Sequence, residues 1–179
     1  MSDRPLRVAV ITLSVRVARG IRADAGGDAV ARCLQDAGMQ VTVRKVIADD
    51  RLALQQELAD LCDQDRADVV ITTGGTGITA LDVTPEATLA VIEKRLPGME
   101  WAMMQAGLKK TPHAMLSRAV AGTRRQTLIL NLPGSPKGAV ENLEAVLPAI
   151  PHAVQLLREE QVRDEDHQPR SRGRKERQN

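Results

Sequence analysis

Short unbroken apolar runs alternate along this chain with stretches whose apolar positions recur at helical spacing. Residues 6–13 form the first run and read as a strand ending at Ser14; residues 41–47 and 127–132 read the same way. Val69, Val70 and Ile71 are β-branched with no polar alternation, as expected of a central parallel strand buried on both faces. Between the strands, Val30, Cys33, Leu34 and Ala37 fall at i, i+3, i+4 and i+7, a helix stopped by Gly38. Leu54, Leu58, Leu61 and Cys62 mark the inner face of a second helix, for which Asp49-Asp50 offers a cap. Thr84-Pro85-Glu86 opens a third, with Thr84 as cap, Pro85 at the first helical position and Glu86 facing the positive helix end. Leu89, Ile92 and Leu96 line this helix up to Pro97-Gly98, and Trp101, Met104 and Leu108 line the next. Val140, Leu143 and Leu147, then Ile150, Val154 and Leu157, close the chain in helix. Residues 15–27 read as loop, and residues 111–122 as loop with a short edge strand.

Strands that alternate with helices predict an α/β fold in three layers, a mostly parallel sheet with right-handed crossovers and helices on both faces. At 179 residues the chain is long enough for one domain with a sizeable core, here residues 1–158. Residues 159–179 are charged and nearly free of apolar side chains, which predicts a disordered tail. Arg170, Arg172, Arg174, Lys175 and Arg177 against Glu176 give the last ten residues a charge of +4, leaving −2 for residues 1–169. The basic balance is therefore a property of the tail and not of a binding face.

Trp101 is the sole aromatic residue, so a base-stacking platform for nucleic acid is not expected. Cys33 and Cys62 are isolated and fall on apolar helix positions, as small buried hydrophobes of a reducing compartment do. No apolar run is long enough to span a bilayer and none resembles a signal peptide, which predicts a cytoplasmic protein.

The candidate chemistry gathers after the third strand. Thr72-Thr73 is followed by Gly74, Gly75 and Gly77, residues that permit positive φ and close approach of a ligand to the main chain. The dinucleotide fingerprint fits poorly, because Pro85 and not Gly77 opens the helix, and no Gly-Lys-Ser/Thr follows as a Walker A loop demands. A turn of backbone N–H groups and threonine hydroxyls remains, suited to phosphates or a nucleotide, with a purely structural turn as the alternative. Asp82 and Asp49 each follow a parallel strand and should rise at one sheet edge, where carboxylates and substrate phosphates together hold Mg²⁺; Asp49 suits a helix cap equally well. Ser117-Arg118 offers a hydroxyl and a fork of donors for a terminal phosphate, and Pro133-Gly134-Ser135 a rigid wall at the same edge. His113, His152 and His167 show no metal spacing.

Thr72-Thr73-Gly74-Gly75-Thr76-Gly77, Asp82-Val83-Thr84-Pro85-Glu86-Ala87, Met115-Leu116-Ser117-Arg118 and Leu132-Pro133-Gly134-Ser135-Pro136, in this order, resemble the molybdenum-cofactor biosynthesis family: bacterial MogA and MoaB and the G domain of gephyrin. The resemblance spans residues 6–158 and implies a molybdopterin-binding fold, assembled as a homotrimer or, among MoaB proteins, a hexamer. It further implies Mg²⁺-dependent adenylylation of molybdopterin by ATP. Thr73, Gly74, Gly75, Thr76 and Gly77 would then hold the nucleotide, and Asp49 and Asp82 would serve metal and catalysis. Ser117, Arg118, Pro133, Gly134 and Ser135 would hold the pterin and its phosphate. Many members carry Ser-Asp-Arg after the first strand; here it reads Ser14-Val15-Arg16, with Asp24 or Asp28 as candidate replacements. A carrier that binds molybdopterin without ATP chemistry, or a scaffold docking a molybdenum-inserting enzyme through the basic tail, are the alternatives.

Overall fold

A computed structural model describes residues 4–158; the charged tail lies outside them. Six strands, β1 (Arg7–Leu13), β2 (Gln40–Ile47), β3 (Val69–Thr73), β4 (Lys94–Arg95), β5 (Ala121–Arg124) and β6 (Thr127–Leu132), form one sheet in the order β2-β1-β3-β6-β5-β4. β2, β1, β3 and β6 are parallel, and β5 and β4 continue the sheet antiparallel. The helices are α1 (Val15–Ala18), α2 (Ala25–Asp36), α3 (Arg51–Asp63), α4 (Thr84–Leu89), α5 (Pro97–Leu108), α6 (Pro136–Val146) and α7 (Ile150–Leu157).

Period-two alternation along the buried strands sorts the core into two layers. Val8, Val10, Ile71, Leu128 and Leu130 pack with α2, α5, α6 and α7 on one face. Ala9, Ile11, Val70 and Ile129 pack with Leu54, Leu58 and Leu61 of α3 on the other. The three-layer α/β architecture is thus as expected. Cys62 is buried and burial pushes its thiol up to about 11, in keeping with an inert core residue; Cys33 is half-buried.

Four local readings need correction. Residues 15–27 are not all loop: α1 forms there, and α2 begins at Ala25 because Asp24 caps it, accepting from Gly27 N at 3.0 Å. Thr84 does not cap α4; it lies inside the helix, buried, and its hydroxyl donates to Gly74 O at 2.8 Å. α4 stops at Leu89 instead of running to Leu96, because residues 93–96 pair with β5: Glu93 N donates to Thr123 O and Leu96 N to Ala121 O. Sheet pairing overrides helix propensity here, and it makes β4, not β5, the edge strand. In α5 the buried residues are Met103 and Gly107, while Trp101 is 66% exposed.

Asn131 of β6 carries the main buried polar network. Its Nδ2 donates to the hydroxyls of Thr72 and Thr88, both at 2.9 Å, and its Oδ1 accepts from Val120 N. Both amide hydrogens and the carbonyl oxygen have partners, so burial costs little, and β3, β6, α4 and the segment leading into β5 are fixed together.

Candidate active site

From β1 the chain passes by way of α2 to β2 on one side and later to β3 on the other, so the strand order reverses beside β1. Crevices at the carboxyl ends of strands at such a reversal are where open α/β sheets bind ligands. The glycine turn lies here, and its glycines are required. Gly74 has φ +99°, and a Cβ on it would stand 2.4 Å from Leu13 O; Gly75 has φ +63°, and a Cβ there would stand 2.5 Å from Thr84 Oγ1. Gly134 presses on the turn from the loop after β6, where an added Cβ would lie 3.2 Å from Gly74 Cα.

Two cavities flank the turn. The larger, about 820 Å³, is lined by Gly75, Thr76, Gly77 and Asp82 on one side and by Ser117, Arg118, Pro133, Gly134 and Ser135 on another. Its apolar wall comes from Leu89, Trp101, Met103, Met104 and Leu116. The smaller, about 410 Å³, is lined by Thr12, Ser14, Arg22, Asp24, Thr73 and Gly74. Gly75, Gly134 and Ser135 line both, so the cavities meet at these residues.

Asp82 is half-buried, and its Oδ2 accepts from Thr79 N at 2.8 Å and Thr79 Oγ1 at 2.6 Å. Burial works against its charge, but the Thr79 and Gly77 hydrogen bonds and the nearby Arg118 outweigh it and hold the carboxyl below the usual carboxylate range. It is therefore an anion at any physiological pH. Ser117 ends the 3₁₀ turn Pro112–Leu116, and its Oγ accepts from Ala119 N at 3.4 Å, leaving the O–H to donate. Ser135 caps α6, accepting from Gly138 N.

Three predicted site residues are occupied differently from what residue type suggested. Thr73 is buried, and its hydroxyl donates to Pro133 O at 2.7 Å, so it ties β3 to the loop after β6. Asp49 lines neither cavity: Oδ2 accepts from Val15 N at 2.9 Å, where it caps α1 beside Ser14. The guanidinium of Arg118 is engaged by Gly77 O, Asp82 O and Glu86. The structure thus brings Asp82 to the cleft without Asp49, and among the described residues no three His, Cys, Asp or Glu side chains converge as a metal site. Asp82 alone, completed by phosphate oxygens, still matches the way Mg²⁺ is held at phosphoryl-transfer sites.

Of the two candidate replacements, Asp24 supplies a carboxylate to the smaller cavity. It accepts from Thr12 Oγ1 at 3.0 Å and from Arg44 at 3.1 Å, whereas Asp28 pairs with Arg44 on the surface. Glu100 is a cleft residue that the sequence does not reveal. It accepts from Arg95 Nε and Nη2 and from Ala121 N on the cleft wall, and no local pattern announces a contact between α5, β4 and β5.

Residues 9–152 match a family model described as "Probable molybdopterin binding domain". The molybdopterin adenylyltransferase of Helicobacter pylori strain 26695 is 42% identical over 154 residues, covering 85% of this chain and 88% of that one. The Escherichia coli K12 protein of the same name is 38% identical over 167 residues, covering 85% of each. Gephyrin of Dictyostelium discoideum is 43% identical over 160 residues, which cover 84% of this chain but 22% of gephyrin. Among solved structures, the molybdopterin biosynthesis enzyme MoaB of a Thermus species superposes with a TM-score of 0.80 at 43% identity, covering 85% of this chain and 96% of that one. Fold, turn chemistry and relatives agree: the chain belongs to the molybdopterin-binding family of molybdenum cofactor biosynthesis.

Proposed function

We propose that this protein transfers the adenylyl group of ATP to the terminal phosphate of molybdopterin, releasing pyrophosphate. The observation that carries the reading is the pair of cavities meeting at Gly75, Gly134 and Ser135, since two substrates must join at one phosphorus. Relatives named molybdopterin adenylyltransferase support it. The nucleotide phosphates lie along residues 73–77 from the smaller cavity, and the pterin occupies the larger one with its phosphate near Ser117.

An oxygen of the pterin phosphate attacks the α-phosphorus, the bond to the α–β bridging oxygen breaks, and pyrophosphate leaves with the electron pair. A phosphate monoester has a second pKa of about 6, so the nucleophile is ionised at neutral pH and needs no general base. Catalysis is then positioning and charge neutralisation. Gly74 N donates to Leu132 O and the Gly77 backbone to Asp82, so the N–H groups of Gly75 and Thr76 position the phosphates. Ser117 donates to the pterin phosphate, and Asp82 would hold Mg²⁺, which would neutralise charge on the transferring group. In this proposal the protein is cytoplasmic and homotrimeric, with a hexamer as the alternative assembly, and supplies a molybdenum-inserting enzyme. No helix among the described residues is long and apolar enough to cross a membrane.

The direct test is incubation with molybdopterin, ATP and Mg²⁺, followed by assay of pyrophosphate and adenylylated pterin. Pterin binding without pyrophosphate release would make the protein a carrier. Ser117→Ala is expected to weaken pterin binding by roughly 1.5–3 kcal/mol, the strength of one hydrogen bond to a charged group, and to leave ATP binding nearly unchanged. Equal losses for both ligands would remove Ser117 from this role. Trp101, exposed on the cleft wall, gives an unambiguous optical signal because it is the sole aromatic residue. Its emission should fall on pterin addition and stay level with nucleotide alone; the reverse response would exchange the two cavities.

A further inference from the structure

Residues 76–82 carry Asp82 and part of the glycine turn, and a single residue joins them to the opposite wall of the cleft. Arg118 N donates to Thr76 O at 2.9 Å, its Nε to Gly77 O at 2.6 Å, and its Nη2 to Asp82 O at 2.7 Å. Among the described residues, the other hydrogen bonds of this segment run within it, from Asp82 N to Thr79 O and from Thr79 and the Gly77 backbone to the Asp82 carboxylate. The same guanidinium meets Glu86 at the start of α4 through Nη1 and Nη2. Both sides of the donor fork are thus taken by the protein itself, whereas an arginine that grips a phosphate presents a free fork to it. A carboxylate beside a phosphate subsite is also electrostatically adverse unless it serves the arginine.

We infer that Arg118 is a positioning residue for the transfer proposed above, on which this inference rests: it latches residues 76–82 and so sets the carboxylate of Asp82, with Glu86 as its anchor. It does not bind the substrate's phosphate. Asp82 takes its orientation from Thr79 within the segment, and the segment takes its place from Arg118, so a loosened latch displaces the carboxylate that would hold the metal.

Glu86→Gln separates the two roles because they predict opposite signs. Glu86 is half-buried at the helix surface and glutamine keeps its shape, so the variant folds. The latch predicts a kcat about 10- to 10²-fold lower, the scale of a catalytic group misplaced by about an ångström, with pterin affinity unchanged. It also predicts faster amide hydrogen exchange over residues 77–82. A phosphate-gripping arginine predicts tighter pterin binding, since a competing anion is removed, and an undiminished kcat. Arg118→Lys adds a second discrimination. A lysine retains the charge but not the diverging contacts, so the latch predicts the same loss of kcat as Arg118→Gln, and retained activity in the lysine variant would overturn it. Hydrogen exchange needs no substrate. Faster exchange in a protein whose wild type releases no pyrophosphate leaves the latch standing and sinks the transfer reading. Unchanged exchange and unchanged kcat in a wild type that does turn over overturn the latch.

Discussion

Asp82→Asn is expected to lower adenylyl transfer by at least about 10²-fold, the scale of removing one preorganised electrostatic element, while fold and pterin binding persist. The side chain lies in a turn whose contacts asparagine can keep. Its amide oxygen can accept from Thr79 N as Oδ2 of Asp82 does at 2.8 Å, and asparagine retains the turn propensity of aspartate. What disappears is the negative charge, in a cleft that Asp49 does not share, since Asp49 is committed to Val15 N. Weaker Mg²⁺ binding would leave the triphosphate charge uncompensated in the transition state. Turnover measured against Mg²⁺ concentration checks the cause, because excess metal should restore part of the rate. Wild-type turnover by a folded variant would place the reaction somewhere other than this cleft.

Asp68 carries the largest expected effect on stability, and it sits at the other end of the sheet. Its side chain is 1% exposed and accepts from Arg7 N at 2.7 Å and Arg7 Nη2 at 2.8 Å, with Arg158 paired to Oδ1. Arg7 begins β1, Asp68 precedes β3, and Arg158 follows α7, so one carboxylate joins three elements. Asp68→Ala leaves the two guanidinium groups without their shared partner and should cost about 3–5 kcal/mol. Burial alone would raise the carboxyl, but the hydrogen bonds from Arg7 and Arg158 win and hold it at about 2. A folded-state value below the unfolded one means stability that is present above about pH 4 and is lost as pH falls toward 2. The amount is about 2 kcal/mol. Urea unfolding of wild type and Asp68→Asn between pH 2 and 7 measures it: the gap should narrow on acidification. A gap independent of pH would show that the carboxylate's charge contributes nothing. Turnover of the folded variants at pH 7 should persist, because Asp68 lies at the amino ends of the strands.

The strands and the turn were legible because their cause is local. Val69, Val70 and Ile71 need burial on both faces, and Gly74 and Gly75 occupy positive φ, which side-chain-bearing residues rarely adopt. The end of α4 was not legible, because residues 90–96 have the spacing of a helix and only the neighbouring β5 turns them into an edge strand. α1 was missed for a similar reason: a four-residue helix has little periodicity, and one of its caps, Asp49, comes from 34 residues away.

The sequence by itself determined the α/β class and the glycine turn after β3, and it singled out Asp82 and Ser117, which the fold places in the lining of the larger cavity. Each follows from a propensity or a spacing within a few residues. Only the tertiary structure decided which of the candidates share a cavity. Asp49 and Asp82 both follow parallel strands, yet one caps a helix and the other lines the cleft. Arg118, a free fork by residue type, spends its donors on Gly77, Asp82 and Glu86, each more than 30 residues earlier in the chain. A side chain's residue type says how many hydrogen bonds it can make; which partners take them depends on what packing brings within about 3 Å.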